Sequence, residues 1–238
     1  TGEQNTIIGG LAGDALTTGS YNVALGYSAL SGEDTGGKNT ALGAYTLQNL
    51  NYAGDGNNTV VGYNAGNSIT TARYATLVGT YAGDAITVGT DNTAVGYGAL
   101  SSEDAHGGNT AIGMHTLNVQ NAGANAYNTA LGWEAGRNIS TGVNNTIIGG
   151  LAGDAITTGN YNVAVGNHAL GAEDAHGKNT AIGYGTLSVQ NAGLDAHNTA
   201  VGYLAGSAVS TGAYNVLIGA NAGDALTTGG YNVAIGTG

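Results

Sequence analysis

The chain of 238 residues lacks cysteine, proline and phenylalanine, and it has only four lysine and arginine residues against fifteen aspartates and glutamates. The absence of cysteine excludes disulfides and thiolate metal sites. The net charge of −11 would repel a polyanion, so we expect no binding to nucleic acid. The sequence also lacks an apolar run of about 18 residues and a signal peptide, so we expect no membrane insertion.

Glycine and small hydrophobic residues dominate what is present. The chain contains 45 glycines and 42% hydrophobic residues, whereas charged residues make up only 8%. A chain this apolar and this weakly charged does not have the composition of a disordered protein. Glycine without proline and without a three-residue period also excludes a collagen-like triple helix. The composition therefore indicates an ordered fold.

A short string of the form Asn-Thr/Val-x-aliphatic-Gly recurs along the whole chain, which is typical of repeat architectures. The intervals run 17, 17, 19 and 17 residues and then repeat, so four coils form a super-repeat of 70 residues, at about 5–74, 75–144, 145–214 and, in part, 215–238. We interpret residues 1–238 as a single continuous repeat array. Because both ends fall partway through a coil, we expect an excerpt from a longer fibre. The strings open at Asn5, Asn22, Asn39, Asn58, Ala75, Asn92, Asn109, Asn128, Asn145, Asn162, Asn179, Asn198, Asn215 and Asn232.

Positions within a coil are given as offsets from its opening residue. Offset 3 is aliphatic and offset 4 is glycine in every coil. A short alternating apolar segment followed by glycine predicts a strand that enters a turn. The sequence therefore predicts an all-β fold, a parallel β-solenoid (β-roll) of about 14 coils.

A compensation between two positions indicates that each coil has an interior. Offset 8 is leucine in six coils, as at Leu30, and where it is glycine, offset 11 is large and apolar, as at Ile69. A closely packed narrow core would need one large side chain from either position. Offsets 0, 2 and 4 are often small, so we predict that they face outward. On this assignment Ile148→Asp destabilises the fold severely and Glu173→Gln is nearly neutral.

The opening asparagines predict a ladder of stacked side-chain amides. The glycine at offset 4 predicts a turn with positive φ or a close approach of two chain segments. Representative ladder and turn residues are Asn22, Asn92, Asn162, Gly26, Gly96 and Gly166. The cost of ordering a coil roughly equals the stabilisation that its few buried apolar side chains and its backbone hydrogen bonds return together. We therefore predict self-association, with a homotrimer ahead of an isolated solenoid.

The repeated strings are similar to known fibre repeats. NTAVGYGAL (92–100), NTAIGYGTL (179–187) and NVALGYSAL (22–30) resemble repeats of bacteriophage tail-fibre and bacterial surface-fibre proteins. They are also similar to the head of trimeric autotransporter adhesins, a left-handed parallel β-roll with shorter coils. The resemblance implies a homotrimeric fibre that is extracellular, on a cell surface or on a virion. The longer coils leave the handedness open, and the sequence shows no stalk, chaperone domain or membrane anchor.

The acids recur at fixed offsets, and we interpret them as a charged surface that keeps a fibre soluble. An alternative is a Ca²⁺ site that combines Asp154 with Glu173 and Asp174, because carboxylate oxygens are the ligands that Ca²⁺ prefers. Otherwise we expect no cofactor. His106 and His176 share offset 14, and three copies of His176 around a threefold axis could bind one metal ion. Exposed turn histidines are the alternative interpretation.

Two further patterns give alternative binding functions. Paired threonines at offsets 12 and 13, as at Thr157 and Thr158, could order water in an ice-binding solenoid, although the pairs occupy only two adjacent coils in four. Tyrosines at offset 5, as at Tyr63, and at offset −1, as at Tyr161, could stack on sugars. Tyrosines at such positions can also cover a turn or line a subunit interface.

We find no arrangement of nucleophile, base and acid that recurs at a fixed offset, so we expect no enzymatic activity. Variation is concentrated in the turns, which is typical of a spacer or display scaffold. The sequence therefore predicts a structural segment of an extracellular or virion fibre. The alternatives are an adhesin module that binds glycans or a cell-surface receptor and, third, an ice-binding solenoid.

Overall fold

The structure, a computed structural model, describes residues 2–238, and its regular elements are short parallel strands. Fourteen strands of three residues form a β-solenoid of about 14 coils, as the sequence predicts. Within the described residues the structure contains no helix, and therefore none that could cross a membrane. The described chain divides into two compact units, residues 2–115 with 123–125 and residues 116–122 with 126–238.

Each unit contains seven strands, and every coil contributes one. The first unit contains β1 (Thr6–Ile8), β2 (Val23–Leu25), β3 (Thr40–Leu42), β4 (Thr59–Val61), β5 (Thr76–Val78), β6 (Thr93–Val95) and β7 (Thr110–Ile112). The second contains β8 (Thr129–Leu131), β9 (Thr146–Ile148), β10 (Val163–Val165), β11 (Thr180–Ile182), β12 (Thr199–Val201), β13 (Val216–Ile218) and β14 (Val233–Ile235).

Within each unit, consecutive strands pair in parallel and in register. Val163 is aligned with Thr146 on one side and with Thr180 on the other. The alignment holds across the 19-residue coils as well, since Thr40 pairs with Thr59. The two additional residues of these coils are therefore accommodated outside the strands.

Strands β2 to β13 bury their middle residue and turn the two outer residues away from the core, whereas the middle residues of the terminal strands β1 and β14 are not buried. Ile147 is fully buried, whereas Ile148 is only half-buried. Alternate residues of a strand point to opposite sides, so the opening asparagine and offset 2 both face the interior. The prediction that offsets 0 and 2 face outward is therefore wrong, and so is the placement of Ile148 in the core.

The compensation between offsets 8 and 11 is present in the core. Leu30 and Leu100 at offset 8 are fully buried, and so are Ile69, Ile86 and Ile156 at offset 11. Coils with leucine at offset 8 all have alanine at offset 2, whereas bulky residues at offset 2 occur only where offset 8 is glycine. Three positions thus share one narrow interior, and no coil places bulky residues at offsets 2 and 8 together, as close packing requires.

The asparagines tie each coil to itself and to the next. Asn145 donates its Nδ2–H to the carbonyl of Gly159 at 2.9 Å, and its Oδ1 accepts the backbone N–H of Asn162 at 2.9 Å. The same two bonds occur at Asn22, Asn92 and Asn162. These side chains are essentially inaccessible to solvent. Burial is compatible with an amide here because the backbone satisfies its hydrogen bonds.

The glycines at offset 4 combine positive φ with close contact between coils. Gly26, Gly96 and Gly166 have φ values of 140°, 137° and 131°. A Cβ atom on Gly26 would lie 2.5 Å from the carbonyl carbon of Gly43 in the next coil. The positive φ and the close approach of two chain segments, which the sequence predicts as alternatives, therefore occur together at offset 4.

Candidate functional site

An uncharged face runs along the outside of the strands in each unit. We call it the strand face; it consists of the first residue of each strand, threonine or valine, and the third residue, which is aliphatic. Leu42 and Leu131 on this face are 40% and 45% exposed. Monomeric soluble proteins seldom leave a contiguous apolar stripe open to water. In the second unit the aliphatic members are Leu131, Ile148, Val165, Ile182, Val201, Ile218 and Ile235.

A column of aromatic rings lies on the first unit. Its six rings contact one another edge to face, with centroids 5.2 to 6.0 Å apart. This column is not apparent in the sequence at any one offset, because its members alternate between offset 5 and offset 6. The members are Tyr27, Tyr45, Tyr63, Tyr81, Tyr97 and His115.

The second unit has shorter aromatic stacks. Tyr184 and Tyr203 are stacked with centroids 5.5 Å apart. His197, Tyr214 and Tyr231, all at offset −1, form a second stack with separations of 5.2 and 4.9 Å. In this unit the rings at offset 5 therefore stack on each other, and the rings at offset −1 stack on each other. Several of these tyrosines also remain half-exposed.

The glutamates at offset 11 are buried, which contradicts their predicted place at the surface. Glu33, Glu103 and Glu173 are all 0% exposed. The reason is that offset 11 is the same interior position that Ile69 and Ile156 fill in other coils. Loss of hydration raises the pKa of all three carboxyl groups, and it raises that of Glu173 from 4.5 to about 7.

The proposed Ca²⁺ ligands do not come together as the sequence analysis combined them. Glu173 and Asp174 are grouped with His176, with one potential ligand atom from each residue within 4.8 Å of the others. Asp154 is not in this group and instead lines a surface cavity with His168 and Tyr184. Burial raises the pKa of Asp154 as well. An equivalent group is formed by Glu103, Asp104 and His106.

The paired threonines use their hydroxyl groups within the solenoid. Thr157 donates its Oγ1–H to the carbonyl of Asp174 at 2.9 Å, and Thr158 donates to the carbonyl of Ala175 at 3.3 Å. These hydroxyls therefore bond successive coils to each other. The regular outward array of threonine lies instead at offset 1, on the strand face.

Comparisons of the chain with protein-family models, with curated proteins and with solved structures each return no match.

Glu173 should make the stability of the second unit depend on pH. Because its pKa is raised from 4.5 to about 7 in the folded chain, the folded state binds this proton more tightly than the unfolded state. The stabilisation is therefore complete below pH 4.5 and is lost as the pH rises through about 7. The loss corresponds to roughly 3 kcal/mol. Glu173→Gln removes the titration, so we expect it to be about as stable as the parent at pH 4.5 and more stable at pH 8.

Urea unfolding at both pH values, with EDTA present, measures this difference. The matched control is Glu3→Gln, which makes the same change at an exposed carboxylate. A gain for Glu173→Gln that is equal at the two pH values would contradict the assignment.

Proposed function

We propose that this chain is a non-catalytic structural segment of an extracellular or virion fibre, in which three copies associate through their strand faces. The observation that carries the proposal is the strand face itself, which is uncharged, carries one aliphatic side chain from every coil and is at least partly exposed in each unit. Removing such a face from water on association is favourable in proportion to its area. We infer the number of copies, three, from the resemblance of the repeated strings to those of trimeric fibres.

The distribution of charge supports association through this face. The first and third residues of the strands include no acid and no base, although the chain carries a net charge of −11. The two pairs of lysine and aspartate with a 2.7 Å contact, Lys38 with Asp55 and Lys178 with Asp195, also lie outside the strands. The strand faces of neighbouring copies could therefore meet without the desolvation penalty of burying a charge.

Two aspartates on the strand face should break the assembly without unfolding the chain. We expect the parent to sediment with three times the mass of the 23.2 kDa chain. The variant with Ile182→Asp and Ile218→Asp should sediment as a monomer and keep its β-type circular dichroism, because both side chains lie outside the core, 37% and 39% exposed. Analytical ultracentrifugation of both proteins measures the masses.

The matched control places the same two charges on exposed aliphatic residues outside the strands, with Val189→Asp and Leu194→Asp. This variant should remain trimeric. A monomeric parent would refute the proposal. If that monomer shaped ice crystals, the rows of threonine and aliphatic residues on the strand face would be a water-ordering surface instead.

The aromatic column of the first unit favours a second candidate function, an adhesin module that binds glycans. Tyr27, Tyr63 and Tyr97 are about half-exposed, at 47 to 50%, and the apolar face of a sugar can pack on such rings. Glycan-array binding by the segment that is lost in Tyr63→Ala, with the trimer intact, would support this function.

A further inference from the structure

Two loops carry the same four-residue sequence, Glu-Asp-Ala-His, at residues 103–106 and 173–176. They lie at the same offsets, one super-repeat apart, and we call them the EDAH loops. In each loop the glutamate is fully buried and the histidine is partly exposed. Potential ligand atoms of the glutamate, the aspartate and the histidine lie within 4.8 Å of one another. The backbone of the solenoid thus brings an imidazole and two carboxylates together twice.

Buried polar atoms in both loops have no hydrogen-bond partner. These atoms are Oε2 of Glu103 and Nδ1 of His106 in the first loop, and Nδ1 of His176 in the second. Glu103 is 0% exposed, so bulk solvent does not reach its carboxylate. A buried polar atom without a partner costs free energy, and native proteins satisfy nearly all such atoms with protein groups, water or ions. The unpaired atoms belong to the residues that form the cluster.

The corresponding loop at Glu33 provides an internal comparison, because it has Thr35 and Gly36 where the EDAH loops have alanine and histidine. There the carboxylate accepts backbone N–H groups from Asp34, Gly36 and Tyr52 at 2.7 to 3.3 Å. Glu103, by contrast, accepts the backbone N–H of His106 on Oε1, and its Oε2 is unpaired. In the second loop Glu173 accepts the backbone N–H of His176 on Oε1 at 3.3 Å, and its Oε2 accepts only a long contact of 3.5 Å from Nδ2 of Asn179. Both EDAH glutamates therefore accept fewer hydrogen bonds than Glu33 does.

The distances suit a metal ion better than a direct hydrogen bond. Oε1 of Glu103 and Nδ1 of His106 are 3.5 Å apart, and the equivalent atoms of Glu173 and His176 are 3.7 Å apart. An N–H···O hydrogen bond prefers about 2.9 Å. Two ligands bound at about 2.1 Å to a tetrahedral ion are about 3.4 Å apart.

We propose that each EDAH loop binds one divalent transition-metal ion of the Zn²⁺ type through its glutamate, aspartate and histidine. Imidazole with carboxylates is a ligand set for zinc and its neighbours, whereas Ca²⁺ takes oxygen ligands only. The aspartate reaches solvent, so water has access to a fourth position. The ion neutralises the buried carboxylate and joins the two ends of the loop. The inference does not depend on the oligomeric state or on the proposed function.

Calorimetric titration of the full chain, freed of metal with EDTA and dialysed, tests the proposal with ZnCl₂ and with CaCl₂. We expect two zinc ions per chain, one per EDAH loop, with micromolar or tighter affinity and no binding of calcium at the same concentrations. His106→Ala and His176→Ala should each remove one zinc ion, and the double variant should remove both. Circular dichroism of each variant verifies the fold.

The matched control removes two histidines outside the loops, with His168→Ala and His197→Ala, and should retain both zinc ions. Glu103→Gln and Glu173→Gln provide a second test that leaves all histidines in place; together they should weaken zinc binding at least tenfold. Absence of zinc binding by the parent, or an unchanged stoichiometry in the folded His106→Ala, His176→Ala variant, would overturn the proposal.

Discussion

Replacing Ile147 by aspartate should unfold the second unit, whereas the same replacement at the next residue, Ile148, should leave it folded. Ile147 is fully buried, and its side chain packs next to Gly153 together with the side chain of Ile156. An aspartate there would lose the packing of a large aliphatic side chain and would place a charge in an apolar interior. Together these costs exceed about 5 kcal/mol, a large part of the stability of a typical domain.

Ile148 is the matched control because it is in the same strand and the same residue type, but lies on the strand face. Urea unfolding followed by circular dichroism at a fixed chain concentration measures both variants. Ile148→Asp should keep the β-type spectrum and lose only the stability that association adds. Equal loss of structure in the two variants would contradict the assignment of Ile147 to the interior of the coil and of Ile148 to its outer face.

The period, the strands and the compensation within the core could be predicted from the sequence, because each depends on positions that repeat. The two sides of the strand were predicted the wrong way round, for a physical reason. The buried middle residue is often alanine, as at Ala164, while the larger aliphatic third residue is only partly buried, as at Val165. Hydrophobicity alone therefore pointed to the wrong side. The opening asparagine indicates the correct side of the strand. An amide that recurs in coil after coil suggests one repeated set of hydrogen bonds, and the backbone inside the coil provides that set.

The burial of Glu173 could also have been predicted. Its offset is the one that Ile69 and Ile156 fill in coils with glycine at offset 8, and that position had already been assigned to the interior. The contact between His176 and Glu173 could not have been predicted, because it depends on the path of the turn between them. Neither that path nor the contact between Tyr45 at offset 6 and Tyr63 at offset 5 follows from the repeat pattern alone.

Replacing Gly149 by alanine should destabilise the second unit by about 3 kcal/mol or more. Gly149 has φ of 131°, a conformation that is strained by about 1 to 3 kcal/mol for other residues. The added Cβ would also lie 2.7 Å from both the carbonyl carbon and the carbonyl oxygen of Gly166 in the next coil. Backbone atoms cannot move aside as a flexible side chain can, so the two coils would have to separate and weaken the bonds between them.

Gly236→Ala separates the two causes, because Gly236 lies at offset 4 of the last coil with a similar φ of 139°, but a Cβ atom there would meet nothing within 4 Å. This control should cost only the backbone strain of about 1 to 3 kcal/mol. Denaturant midpoints of the two variants measure the difference. A loss at Gly149 no larger than that at Gly236 would show that φ alone requires the glycine. The larger loss that we expect would mean that the column at offset 4 sets the spacing between coils, and with it the separation of the rows on the strand face.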